Sequence, residues 1–190
     1  MKSLLLLALL MIFSTAIAQE TWSVSFSPSL HFPTRKVFKN PLRIGNGVDV
    51  TVAYSLGNQS KIFAGFIWNR FDRDQGFEEE NIEFVQRGVV FGGMYFFKVV
   101  PNQKSPFYVR GALTFMDVKA RSANDTFNVE TQWGIGTLFG LGVKIETFKN
   151  WYVMPELRYG NMSNEYDDRG AARNLSFGHV SITGGLMYAF

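Results

Sequence analysis

The sequence predicts an all-β fold, an eight-stranded antiparallel up-and-down transmembrane β-barrel. Three observations point there. Apolar and polar residues alternate with a period of two from residue 20 to the end of the chain. The connections between the alternating runs are long and short in turn. The first eighteen residues have the build of an export signal.

The alternation places strands at about residues 20–32, 45–56, 61–71, 83–98, 106–118, 132–147, 151–162 and 174–190. In the first, Trp22, Val24, Phe26, Leu30 and Phe32 alternate with serines and His31. In the second, Val48, Val50, Val52, Tyr54 and Leu56 stand against Asp49, Thr51, Ala53 and Ser55. Strands three to five alternate less cleanly. In the fourth, Val89, Phe91, Tyr95 and Phe97 form the apolar face. In the fifth, Phe107, Val109, Leu113 and Phe115 do so, with Arg110 and Thr114 opposite. The sixth sets Trp133, Ile135, Phe139, Leu141, Val143 and Ile145 against glycines, Lys144 and Glu146. The seventh sets Trp151, Val153, Leu157 and Tyr159 against Glu156 and Arg158. The eighth sets Val180, Ile182, Leu186, Tyr188 and Phe190 against His179, Ser181 and Thr183.

The long connections, 33–44, 72–82, 119–131 and 163–173, hold most of the charge, including Arg35, Lys36, Lys39, Arg43, Asp125 and the acidic run from Asp72 to Glu80. The short ones are 57–60, 99–105 and 148–150. Outer-membrane barrels have short periplasmic turns, long extracellular loops, an even strand count and both termini on the periplasmic side. This rhythm satisfies all of these, and it puts four loops outside the cell.

Composition agrees. Aromatics are abundant (19 Phe, 7 Tyr, 4 Trp) and Gly is frequent (18), a mixture that favours strands and turns. No later stretch approaches the about 20 apolar residues of a membrane helix. The absence of Cys excludes disulfides, thiolate chemistry and a lipid-modified N-terminal Cys. The net charge of +3 is spread along the chain and gives no reason to expect a nucleic-acid partner. At the N-terminus, Lys2 precedes an apolar run at 4–13, and Ala16-Ile17-Ala18 fits a small-x-small cleavage site. The expected division is a signal peptide over 1–18 and a barrel domain over 19–190.

Alternation alone does not separate a membrane barrel from a secreted lipocalin-like one, which also has eight strands. Export, strand length and aromatics near strand ends do. Strands of about 11 to 16 residues exceed the usual 5 or 6. They suit a tilted span, and the aromatics suit interfacial girdles.

The chain ends Gly185-Leu186-Met187-Tyr188-Ala189-Phe190. A terminal Phe190 with Tyr188, Leu186 and Ile182 behind it resembles the C-terminal assembly signal of outer-membrane barrels. With the export signal and the loop rhythm, the mature chain resembles the small outer-membrane β-barrel family of the OmpX and OmpA transmembrane-domain type, with which porin-family β-barrel domains are grouped. The resemblance implies insertion into the bacterial outer membrane by the barrel assembly machinery. It implies no particular activity.

Candidate chemistry is sparse. His179 and Ser181 resemble the His-x-Ser pair of outer-membrane lipid A deacylases. Here they face the lumen, Ile182 stands where that motif has Asn, and spacing supplies no acidic partner. His31 has no second ligand at metal spacing. The acidic run Asp72, Asp74, Glu78, Glu79 and Glu80 lacks calcium-loop spacing. The basic stretch Arg35, Lys36, Lys39 and Arg43 suits lipopolysaccharide phosphates. No cofactor or metal site is expected.

An eight-stranded barrel is only just wide enough for its own side chains. Its inward faces carry Asp49, Arg110, Lys144, Glu146, Glu156 and Arg158, three basic and three acidic groups that should pair. Inward positions are even-numbered on strands six and seven, so the turn between them holds an odd number of residues. A three-residue turn at 148–150 puts Thr147 opposite Trp151, Gly142 opposite Glu156 and Gly140 opposite Arg158. Lys144 then becomes the diagonal neighbour of Glu156. The reading is a monomeric, non-enzymatic outer-membrane protein with a structural or interaction role, its extracellular ligand unknown. A small channel for small or apolar solutes and a lipid A-modifying enzyme are the competing functions.

Overall fold

A computed structural model describes residues 21–35, 42–73, 82–100, 104–122, 128–168 and 171–190. The expected export segment, with Ala16 and Ala18, lies outside the described residues. So do Lys36, Lys39, Asp74, Glu78, Glu79, Glu80 and Asp125.

The strand segments are β1 (Trp22–Pro33), β2 (Gly45–Ser55), β3 (Ser60–Arg73), β4 (Ile82–Phe97), β5 (Phe107–Ser122), β6 (Asn128–Glu130), β7 (Gly134–Val143), β8 (Ile145–Phe148), β9 (Trp151–Asp168) and β10 (Ala171–Ala189). Every pairing is antiparallel, and β10 pairs both β9 and β1, which closes the sheet. β6, β7 and β8 follow one another along one stave, so the closed barrel has eight staves. Tracing the pairing from Ser23 through Ala53, Phe63, Gly92, Ala112, Leu138, Gly160 and His179 returns to β1 at Pro33, ten residues beyond the start. At the standard rise and spacing that stagger tilts the strands by about 40°, within the range for barrels.

The period of two decides what each face meets. Phe26, Leu30, Phe66, Phe91, Phe139, Leu157 and Ile182 point outward and are exposed, Leu157 by 56% and Ile182 by 58%. Apolar surface of this extent all round a closed barrel is the surface of a protein standing in lipid. At the short-turn end a girdle of aromatic pairs rings the barrel. Trp22 stands 5.0 Å from Tyr54, Trp151 5.0 Å from Tyr188, and Phe97 6.1 Å from Phe107. Phe190 joins it, its ring 4.9 Å from that of Tyr188 and its amide donating to the Trp22 carbonyl at 2.9 Å.

Three local features differ from the expectation. At the long-connection end the strands run on: β9 and β10 pair as far as Asp168 and Ala171, so the expected connection 163–173 is mostly hairpin. Alternation marks a strand between two unlike environments; beyond the lipid it fades while the backbone ladder continues. The expected single strand over 132–147 is broken at 131–133 and again at Lys144. The turn after it has two residues, Lys149 and Asn150, with Asn150 in the left-handed region at φ 66°. Phe148, not Thr147, lies opposite Trp151, and an irregularity between Glu146 and Phe148 absorbs the extra residue. Above it Gly142 lies opposite Glu156 and Gly140 opposite Arg158, the register that parity requires.

Candidate functional site

Four inward-facing charged residues meet in the middle of the lumen: Asp49 from β2, Arg110 from β5, and Glu156 and Arg158 from β9. The Arg158 Nη1 donates to Asp49 Oδ2 at 2.5 Å and its Nη2 to Glu156 Oε2 at 3.0 Å. Arg158 Nε also lies 3.0 Å from Glu156 Oε1, a charge contact outside hydrogen-bonding geometry. Arg110 Nη1 stands 3.5 Å from Asp49 and 3.6 Å from Glu156, with its guanidinium 4.4 Å from the Phe63 ring centre. The Tyr108 hydroxyl donates to Glu156 at 3.0 Å. All four charged side chains are buried. Two cations against two anions leave the tier neutral, the condition under which buried charges are tolerated. Room for Glu156 comes from Gly140, where a Cβ would run into its carboxylate; a Cβ at Gly142 would meet the Tyr108 ring.

The other two expected members of the cluster lie elsewhere. Lys144 sits beyond the end of β7, its ammonium 3.7 Å from the centre of the Tyr152 ring and 5.9 Å from that of Phe96. The break in the strand there turns its stem toward the barrel mouth, while Glu156 is reached by Arg158, Arg110 and Tyr108. Glu146 is exposed on β8. It has the right parity but lies past the enclosed part of the lumen.

The lumen also holds apolar layers. Below the charge tier, toward the short turns, Met94, Phe96, Tyr108, Tyr152, Met154 and Met187 are buried. Above it, Phe71 packs against His31, His179 and Phe177 at 5.4, 5.7 and 6.3 Å, and Phe84 packs against Phe177 at 5.9 Å. Of these nine apolar residues, Phe71, Phe84, Met94, Phe96 and Tyr108 sit on β3, β4 and β5, where the alternation is blurred, and Tyr152, Met154, Phe177 and Met187 sit on β9 and β10. The described voids beside the charge tier hold about 10 Å³ each, room for a single water at most.

His31 does meet a second histidine. The barrel's closure brings His179 alongside, the rings 4.7 Å apart, and His31 Nε2 bonds the Ser29 hydroxyl at 3.0 Å. Among the described residues no group of three His, Cys, Asp or Glu stands together as a metal site. His179 and Ser181 are both buried inside the lumen, away from the lipid-facing wall.

Two polar arrangements had no sequence signal. Asn164 on β9 reaches into the wall where β6 gives way to β7. Its Nδ2 donates to the carbonyls of Met116 and Gln132 at 2.8 and 2.9 Å and to Thr131 Oγ1 at 3.1 Å. Thr131 Oγ1 in turn accepts from the Val118 amide at 3.0 Å. At the long-connection rim, on the outer surface, Arg87 holds Asp117 at 3.1 and 3.2 Å. Lys119 holds Glu130 at 2.8 Å, and this bond keeps the Glu130 carboxyl below the usual range.

No protein-family model and no curated protein matches the sequence. Solved structures do resemble the fold. Neisserial surface protein A superposes with a TM-score of 0.60 at 12% identity, over 90% of this chain and 98% of that one. OprG from Pseudomonas aeruginosa, an outer membrane protein, does so with a TM-score of 0.54 at 11% identity, over 90% and 96%. The chain therefore has the fold of the small integral outer-membrane β-barrels, and its exterior is built to stand in a bilayer.

Proposed function

We propose that the chain is a non-enzymatic outer-membrane protein of the OmpX and OmpA transmembrane-domain type, with a structural or interaction role. In this reading it is exported by cleavage after Ala18 and folded by the barrel assembly machinery. Ile182, Leu186 and Tyr188, on the outward side of β10, and Phe190, just beyond its end, are the assembly signal. The short-turn end faces the periplasm, and the long connections are displayed outside, monomerically, among lipids and lipopolysaccharide. The observation that carries the reading is the closed lumen: the Asp49–Arg158–Glu156–Arg110 tier lies between two layers of buried aromatic and apolar side chains. A protein with so little space inside acts through its surface. The apolar layer of Phe71, Phe84 and Phe177 favours one second reading, a narrow channel for apolar solutes. Planar-bilayer recording of the purified protein, with mass analysis of lipid A from expressing cells, tests both. The expected result is no steady large conductance and unaltered lipid A. Sustained conductance supports the channel, and lost acyl chains overturn the non-enzymatic reading.

A further inference from the structure

Beside the charge tier, on its long-connection side, the closed barrel encloses a void of about 10 Å³. His31 from β1, Asp49 from β2, Asn69 from β3, Arg158 from β9 and His179 from β10 line it. All five side chains are buried. Yet His31 Nδ1, His179 Nδ1 and Asp49 Oδ1 have no hydrogen-bond partner among the described residues. Their companion atoms are engaged: His31 Nε2 bonds the Ser29 hydroxyl at 3.0 Å, and Asp49 Oδ2 accepts from Arg158. Both rings are closely confined. A Cβ at Gly47 would run into His31 Nε2, one at Gly160 would run into the His179 ring, and Phe71 packs against both rings. Buried polar atoms are paired in folded proteins, and where no protein group reaches them a bound molecule does so.

The unmatched atoms define that molecule. The Asp49 carboxylate only accepts, so the molecule must donate, which excludes an anion. A metal ion is opposed by Arg158 in the same wall, and among the described residues no three His, Cys, Asp or Glu are grouped to ligate one. The volume admits nothing larger than water, which takes about 10–15 Å³ and two to four polar partners.

We infer that this void binds one water molecule as a lasting part of the lumen, bridging Asp49 to the two histidines. A water has two hydrogens. Asp49 Oδ1 takes one, so at most one histidine accepts the other, and the remaining Nδ1 carries a hydrogen and donates to the water oxygen. The bridge therefore sets a tautomer: at least one of the two rings has its hydrogen on Nδ1. It also joins the charge tier to the histidine pair above it in one hydrogen-bonded column. The inference is independent of any role of the protein's surface, and so stands apart from the proposed function.

The test is water-to-protein cross-relaxation in the isotope-labelled protein, in lipid nanodiscs, read at the carbon-bound ring protons of His31 and His179, which do not themselves exchange with solvent. Cross-peaks with the sign of a long-resident water are expected at both rings. They should survive in Ser29→Ala/Ser181→Ala, which removes the lining hydroxyls able to relay exchange. The His31 peak should fall at least fivefold in His179→Phe, checked for folding by heat-dependent gel mobility, and stay unaltered in Met94→Leu, below the tier. Long-range proton–nitrogen spectra should show a hydrogen on Nδ1 of at least one ring. No cross-peak at either ring, loss of both in the serine variant, or Nδ1 atoms without hydrogen on both rings overturns the inference. So does a saturable shift of the two rings on titration with zinc, which would assign the void to a metal.

Discussion

Glu156 and Arg158, low on β9, and Asn164, higher on the same strand, are all buried, but what they hold differs in kind. The lower pair reaches across the lumen. Arg158 ties β9 to Asp49 on β2, and Arg110 on β5 faces both carboxylates. There the backbone ladder is intact on both sides of β9, and the side chains settle only the inside. Asn164 works within the wall. The β7–β9 ladder stops at Ile135 and Ser163, and above that point Asn164 and Thr131 supply partners to the Met116 and Gln132 carbonyls and the Val118 amide. Where the ladder is whole, buried polar groups are free to form a charge cluster. Where it breaks, they serve the backbone.

The charge tier should be the more costly to break. Arg158→Met leaves Asp49 and Glu156 facing Arg110 alone, and removing one partner from a buried ionic cluster costs about 3–5 kcal/mol. Urea unfolding in lipid vesicles measures it, and adding Asp49→Asn to that variant should restore part of the loss. If the double variant is no more stable than the single, the penalty is not an uncompensated charge. Asn164→Ala comes next, at about 1–3 kcal/mol for carbonyls left without a donor. Hydrogen exchange should quicken at the Val118 amide, beside the break, and remain slow at Tyr159, lower on β9. A loss as large as that of Arg158→Met would erase the distinction between the two regions. The smallest effect is expected at the foot of the same strand. Asn150 holds φ 66°, which Gly adopts without strain, so Asn150→Gly should change stability by no more than about 0.5 kcal/mol. A larger loss would mean that the Asn150 side chain shapes the turn.

The residues differ in how far the sequence reveals them. Strands one, two, seven and eight alternate cleanly, so the outward places of Phe26, Val50, Leu157 and Ile182 are legible from the chain alone. Strands three to five carry large apolar residues on both faces, and Phe63, Phe84 and Phe96 in the lumen were therefore hidden. Asn164 had no signal, because its role depends on a break in a neighbouring strand. Lys144 and Glu146 have inward parity, but parity says nothing of depth, and both lie at or beyond the barrel mouth.

By itself the sequence determined the fold class and the facing of its clean strands, since successive side chains on a strand point to opposite sides. The expected pairing of Gly142 with Glu156 is found as well, but the turn has two residues and not three, and the irregularity between Glu146 and Phe148 restores the facing. Those are local properties, settled within a strand or a hairpin. Which inward residues meet across the lumen was decided only by the tertiary structure. Asp49 finds Arg158, and His31 finds His179, because the closed barrel staggers by ten residues in one circuit. That stagger sums the register of all eight staves and is written in none of them alone.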